Sequence, residues 1–391
     1  MRILIISNWL PPITAGSAYY AENVAKYIKK KNNIVKVVTV DWDLPEKNFS
    51  FDVEKIQAIK VPRLPLFFQM QHMGITVSPK NIVILSNIIQ EFQPDIIHHI
   101  NHIFDSLFLA TRVAKRYKIP VITSVTTPIM HQNPIKHKIM QLVDSFLIGN
   151  IWMNNVNGVI SVDRSIDKYI NVTYKTRSIN EVITFAPVLD IPPSSLSYIE
   201  RYENKTILFV GHIHPFRDPS SLIKSMPDLL KSIPGLKLKC IGDIQMQGPV
   251  RLAKKLNLYN KSVFFLGRKD RDYVLNELDR GTLCVSWASA RYKSLGTAPR
   301  EAMLMGLPVV ADIPINLLGD DILKDGENIH IIDSTDGISI RKTIINILTD
   351  EKKYQQLSEN TKDFAIKFFN WDNIADELLN YYKMVITNYK Y

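Results

Sequence analysis

The chain has 391 residues, 46% hydrophobic and 22% charged, with a formal net charge of +10. This composition excludes a disordered or fibrous chain, and the length exceeds what one hydrophobic core fills, so two domains are expected. Cys240 and Cys284 each fall inside an apolar run, which excludes a disulfide framework or cysteine metal cluster and suits the reduced core thiols of a cytoplasmic protein. No run approaches the ~20 apolar residues that cross a bilayer. The opening Met1-Arg2-Ile3-Leu4-Ile5-Ile6 is too short for a signal peptide and reads as a first strand. The basic balance permits nucleic acid, anionic lipid or phosphorylated small molecules. No nucleic-acid-binding motif accompanies it, so small-molecule phosphates or lipid headgroups are favoured.

In chain order, apolar β-branched runs at 3–6, 34–40, 96–100, 121–125 and 159–162, then at 207–210, 236–241, 263–266, 283–285 and 309–311, alternate with helical patterns. Such strands are buried on both faces, and with helices between them they predict an α/β chain of two doubly wound parallel sheets. Ligands then bind at the carboxyl ends of the strands, in the cleft between the halves. Periodicity breaks near Pro187–Lys205, at Pro192-Pro193-Ser194-Ser195. The expected domains are 1–190 and 191–370, with a last helix over 371–391.

The first loop, Asn8 to Ser17, carries Gly16 at a strand-to-helix turn, where backbone can approach a ligand closely. Asp41-Trp42-Asp43 has the Asp-x-Asp spacing of a metal site but follows a strand of the first half. Leu64-Pro65-Leu66-Phe67-Phe68-Gln69-Met70 is an apolar candidate for lining a binding mouth. His98, His99 and His102 end the third strand run. A metal would need a second ligand cluster that the sequence lacks, so no metal is assigned. Over 134–155, Ile139, Leu142, Val143, Phe146 and Ile151 recur at helical spacing behind Lys136 and Lys138. That pattern reads either as a cationic amphipathic helix on an anionic membrane or as an ordinary helix packed on the sheet.

The second half opens with Val210-Gly211-His212, followed by Arg217, whose permanent charge and planar fork suit a phosphate. His212 carries only a pH-sensitive charge. The stretch from Val285 to Asp312 then runs strand, loop, helix (about 299–305), turn, strand. Pro299 suits a first helical turn, Gly306 the position past the helix end, and Pro308 blocks continuation. Ahead of the helix, the amides of Ser294, Leu295, Gly296 and Thr297 can face an anion. Glu301, placed in the first turn, can accept two hydrogen bonds from a diol. A nucleotide diphosphate and its ribose fit this set.

The run Glu301-Ala302-Met303-Leu304-Met305-Gly306-Leu307-Pro308-Val309-Val310 resembles the second half of the signature of the family-4, GT-B-fold glycosyltransferases. In that family a first Glu precedes it, with Gly-Phe-Gly between; Lys293 and Ser294-Leu295-Gly296 stand at those places here. The resemblance implies two Rossmann-like domains facing across a cleft, the first binding acceptor, the second binding nucleotide sugar, and a last helix after Phe369-Asn370-Trp371 crossing back to the first. It places Glu301 on the ribose, Lys293 beside the donated sugar, and Gly16, Gly211, His212 and Arg217 about the diphosphate. Gly267 and Arg268 are placed near the base. His98, His99 and Thr126 line the acceptor side, Thr126 standing where the family has a histidine.

The activity implied is a retaining, hexosyltransferase-type transfer from a nucleotide sugar to a glycan or lipid-linked acceptor of the cell envelope. Arg217, Glu301 and Lys293 are its catalytic candidates, and no cofactor or essential metal is required. Lys293 adds a sharper expectation, since an ammonium near the sugar favours a uronic acid donor; it can equally turn to the diphosphate or to solvent. The protein is expected in the cytoplasm, at the inner face of the membrane if the 134–155 helix binds lipid. The alternative class is a degenerate glycan-binding scaffold, supported by the missing family residues and opposed by Glu301, Gly296 and Arg217. A sugar-nucleotide epimerase on the same fold is a third reading.

Overall fold

The computed structural model describes every residue except 14, 61–71, 132, 175–178, 185–190, 192–193, 288–291 and 390–391. The apolar run 64–70 lies outside the described residues, as does part of the break at 187–205. The chain divides into two compact units, Met1–Phe185 with Trp371–Tyr391, and Ala186–Asn370.

In the first unit the strands are β1 (Arg2–Ser7), β2 (Ile34–Val40), β3 (Asp52–Ile56), a short antiparallel pair β4 (Ile59–Lys60) and β5 (Gly74–Ile75), then β6 (Ile96–Ile100), β7 (Val121–Val125), β8 (Gly158–Ser161) and β9 (Ile179–Val182). The main sheet has the order β3-β2-β1-β6-β7-β8-β9 and its pairs are parallel. Successive residues Ile3, Leu4 and Ile5, and Ile96 and Ile97, are all fully buried; burial without alternation means helices cover both faces. The helix Trp371–Tyr389 belongs to this unit. Trp371 stacks on Tyr27 at 5.7 Å, Lys30 and Lys31 pair with Asp372 and Asp376, and Tyr381 donates to the Val159 carbonyl at 3.0 Å. Ile374, Leu378, Leu379 and Tyr382 form its buried stripe, while Met384 turns outward.

The second unit holds β10 (Thr206–Val210), β11 (Lys237–Ile241), β12 (Val263–Gly267), β13 (Leu283–Trp287), β14 (Val309–Asp312) and β15 (His330–Ile331), all parallel in the order β12-β11-β10-β13-β14-β15. Its core is one cluster built from strand residues such as Ile207, Phe209 and Leu238 and helix residues such as Leu222, Met226 and Ile344. Each sheet is doubly wound, and the winding reverses at β1/β6 and at β10/β13. At such a reversal the flanking crossovers diverge and leave a crevice beyond the carboxyl ends of the strands.

All ten runs expected as strands are strands. The strands that the pattern did not indicate are short or peripheral: β3, β4, β5, β9 and β15. β3 reads Asp-Val-Glu-Lys-Ile and is mostly exposed, so it lacks the apolar run that marks an interior strand.

Candidate active site

At the β10/β13 reversal the backbone is close-packed by two glycines. Gly211 follows β10 with φ of +143°, and Gly242 follows β11 with φ of +144°. A Cβ on Gly242 would stand 2.1 Å from the Gly211 carbonyl oxygen, closer than any side chain tolerates. The amide of Gly211 donates to Ile241 at 2.8 Å, and that of Gly242 to Gly267 at 2.9 Å, so three strand ends are tied into one edge.

Arg217 returns to this edge from a tight turn closed by its own amide on the His214 carbonyl at 2.7 Å. Its Nη1 lies 2.8 Å from where a Gly211 Cβ would be and its Nη2 3.5 Å from where a Gly296 Cβ would be. The guanidinium therefore sits between β10's end and the start of the helix Thr297–Leu304. Burial lowers its pKa, though an arginine stays charged under any ordinary condition. Among the described residues it has no ion pair and no side-chain hydrogen bond, an unusual state for a desolvated cation.

The helix opens two residues earlier than expected, with Gly296 as its cap. Glu301 is thus its fifth residue and stands in the second turn rather than the first. Gly296 offers no capping side chain, so the amides of Gly296, Thr297 and Ala298 lack intrahelical acceptors. The first of them, at Gly296, lies beside Arg217. Leu295 is buried in the core, which leaves only its backbone for a ligand. Gly306 follows the helix with φ of +76°, as its place after the last turn requires.

Glu301 is almost fully buried, and its Oε1 accepts from Arg271 Nη1 at 2.8 Å. Burial raises its pKa while the Arg271 pair lowers it. Arg271 opens the helix Arg271–Arg280, whose first turn is fixed by Asp270 accepting from the Tyr273 amide at 2.8 Å. The arginine had no place in the sequence reading, because nothing local signals a partner thirty residues away. Lys293 is likewise not a lone cation: its ammonium donates to Asp312 at the end of β14. Here a signal existed, a carboxylate ending the strand beyond the Gly-Leu-Pro turn. His212, more than half exposed, has its pKa lowered by partial burial, with Asp243 opposing and Arg217 and Arg268 assisting. Gly267 ends β12, and Arg268 beyond it is exposed.

In the first unit, Gly16 is exposed and opens the helix Gly16–Lys30, and Thr126 is half-buried just past β7. His98 and His99 correct the expectation that they line a cleft. Both are fully buried inside β6. His98 bonds with Tyr382 and Ser124, each at 2.7 Å, and His99 with Ser106 at 2.8 Å. Burial pushes both rings down to about 3, so they are neutral structural links between sheet and helices. Asp43 pairs with Lys60 at 2.5 Å. Among the described residues no three His, Cys, Asp or Glu side chains group as a metal site.

A cavity of about 260 Å³ opens beside the loop after β1, lined by Leu10, Pro11, Trp42, Phe49 and Phe51 with Lys55. The 134–155 segment is a helix from Pro134 to Val143 continuing as a wider turn over Asp144–Trp152. Ile135, Leu142 and Phe146 are 65–72% exposed, and Ile139, Val143, Leu147 and Ile151 are exposed beside them. Its one acid, Asp144, points inward and accepts from Tyr169 and Tyr174. No helix among the described residues is long and apolar enough to cross a membrane.

Comparison with known proteins agrees with this architecture. Residues 197–364 match the family Glycosyl transferases group 1, and residues 14–183 match Glycosyltransferase Family 4. An uncharacterized glycosyltransferase of Methanocaldococcus jannaschii is 24% identical, over 99% of each chain. Among solved structures, the sucrose-phosphate synthase of Thermosynechococcus elongatus superimposes with a TM-score of 0.69 at 17% identity, over 99% of this chain and 100% of that one. The Anabaena protein HepE, solved with UDP and glucose, gives 0.70 at 15%, over 98% and 100%. The chain belongs to the family-4 glycosyltransferases of the GT-B fold.

Proposed function

We propose that this glycosyltransferase binds a nucleoside diphosphate sugar at the carboxyl edge of β10 and β13 and transfers the sugar, with retention, to a glycan or lipid-linked acceptor. The observation that carries the reading is Arg217, a desolvated guanidinium without a counter-charge among the described residues, held against a helix start whose amides also lack acceptors. A diphosphate supplies what both lack. Glu301, held by Arg271 and retaining Oε2, would take a ribose hydroxyl. Gly211, His212, Gly267 and Arg268 border the same edge and would complete the donor site.

As the sugar leaves, negative charge grows on the diphosphate, and Arg217 with the amides of Gly296 and Thr297 would stabilise it without reorganising. In the retaining route the departing phosphate oxygen itself takes the acceptor's proton, on the face from which the sugar left. With this neutralisation supplied by protein, no essential metal is invoked. A uronic acid donor rests on Lys293 meeting a sugar carboxylate, and Asp312 already supplies that ammonium's counter-charge, so a neutral sugar is the better-supported donor. On the acceptor side we assign Gly16, Thr126 and the cavity beside Trp42, and we assign the exposed apolar face of 134–152, with Lys136 and Lys138, to peripheral contact with an anionic membrane.

Thermal unfolding against a panel of nucleotide sugars tests the site. A donor at ~100 times its dissociation constant stabilises by about 2.7 kcal/mol, and Glu301→Ala should abolish that shift. Stabilisation by no nucleotide, in the wild type, would move the reading to a glycan-binding scaffold. Product anomeric configuration by NMR checks retention.

A further inference from the structure

Lys293 and Asp312 form an ion pair at this edge that the donor site as described leaves unused. Lys293 stands three residues before Gly296, the helix cap beside Arg217. Three residues of chain span at most roughly 11 Å, so the Lys293 backbone lies no farther than that from the helix cap beside Arg217. Asp312 is the last residue of β14, in register with Trp287 at the end of β13, which puts its carboxylate on the same strand edge.

The two partners differ in access. The Asp312 side chain is 11% exposed and that of Lys293 33%, so the carboxylate is nearly withdrawn from water and the ammonium faces it. One oxygen, Oδ1, receives Lys293, while Oδ2 has no other hydrogen bond among the described residues. The ammonium has three N–H donors and uses one here. The dyad therefore offers one acceptor and two donors with no net charge. Adjacent hydroxyls, each both donor and acceptor, match that set. A carboxylate does not, because it would meet Asp312 in a partly desolvated setting where like charges repel strongly.

We propose that Lys293 and Asp312 act together as a specificity dyad that hydrogen-bonds the hydroxyls of a neutral donor sugar and rejects uronic acid donors. The assignment rests on the donor-site reading above. Its discriminating element is Asp312: with that charge removed, Lys293 becomes the lone cation that an acidic sugar would seek.

The test is calorimetric titration of the full chain with UDP, UDP-glucose and UDP-glucuronic acid, and in parallel with GDP, GDP-mannose and GDP-mannuronic acid, for wild type, Asp312→Asn and Lys293→Gln. Wild type should prefer the neutral sugar by tenfold or more in whichever series binds. Asp312→Asn should lose at least tenfold for the neutral sugar, gain for the uronic one, and keep its affinity for the bare diphosphate within twofold. Lys293→Gln should weaken the uronic donor further. Where Asp312→Asn no longer binds the bare diphosphate and so has misfolded, the Lys293→Gln result decides. An unchanged neutral-to-uronic ratio in both variants, or a wild-type preference for the uronic donor, overturns the dyad while leaving the donor site intact. Failure of both bare diphosphates to bind wild type overturns the donor-site reading and the dyad with it.

Discussion

The ends of β6 in the first unit and of β10 in the second are both strand ends flanking a winding reversal, and both are rich in groups that suggest chemistry. The histidines of β6 look inward: Tyr382 and Ser124 take both ring nitrogens of His98, Ser106 takes one of His99, whose buried Nδ1 has no hydrogen bond among the described residues, and burial keeps both rings neutral. The cations near β10 are of another kind. Arg217 is desolvated without a counter-charge among the described residues, whereas Arg271 and Lys293 are matched by Glu301 and Asp312. Position at a reversal identifies where a ligand can lie; only the local balance of charge identifies which residues would receive it.

Arg217→Ala should give the largest effect. Losing a charge-assisted contact to a diphosphate costs about 2–4 kcal/mol, a loss of ~100-fold in UDP or GDP affinity by calorimetry, with the fold intact by circular dichroism. An affinity within threefold of wild type would erase the contrast with β6.

Acid stability separates the regions next. A buried base with lowered pKa contributes stability that is complete above its unfolded value, 6.5, and is lost as pH falls toward its folded value, about 3 for His98. At pH 5 that is about 2 kcal/mol for one such histidine, so denaturant unfolding should show the first unit weakening between pH 6.5 and 5. Asp144 opposes this, because burial raises it to about 6. A raised acid favours the folded state progressively as pH drops through 6. His98→Gln should flatten the decline, and hydrogen exchange at β6 should register it.

Removing Arg271 probes the matched pairs. Arg271→Gln leaves Glu301 buried without its counter-ion; since the arginine is partly exposed, the loss is about 1–2 kcal/mol. With the carboxyl's pKa raised further, nucleotide affinity should fall below neutral pH in the variant more than in wild type. The smallest stability effect belongs to the exposed helix face. Leu142→Ser with Phe146→Ser should change stability by no more than about 0.5 kcal/mol, yet reduce sedimentation with phosphatidylglycerol vesicles about tenfold. Unchanged vesicle binding would remove the membrane assignment.

The same contrast explains what was legible in the sequence. Interior strands such as Ile3–Ile6 and Val309–Ala311 announce themselves because both faces are apolar. Edge strands such as Asp52–Ile56 do not, since one side of the ladder meets solvent. Gly211, Gly296, Arg217 and Glu301 could be read because each serves a backbone or charge requirement visible within a few residues. The fate of His98 depends on Tyr382, 284 residues away, and that of Glu301 on Arg271, 30 residues back. Those partnerships are set by packing, which local pattern does not encode.

The central claim is that a nucleoside diphosphate is received at the carboxyl edge of β10 and β13. Amide hydrogen exchange with and without UDP or GDP tests it most directly. Protection should appear at 211–217 and 296–298 and be lost in Arg217→Ala, while 96–102 stays unchanged. Protection confined to the first unit, or protection at 211–217 that survives without the arginine, would contradict the account.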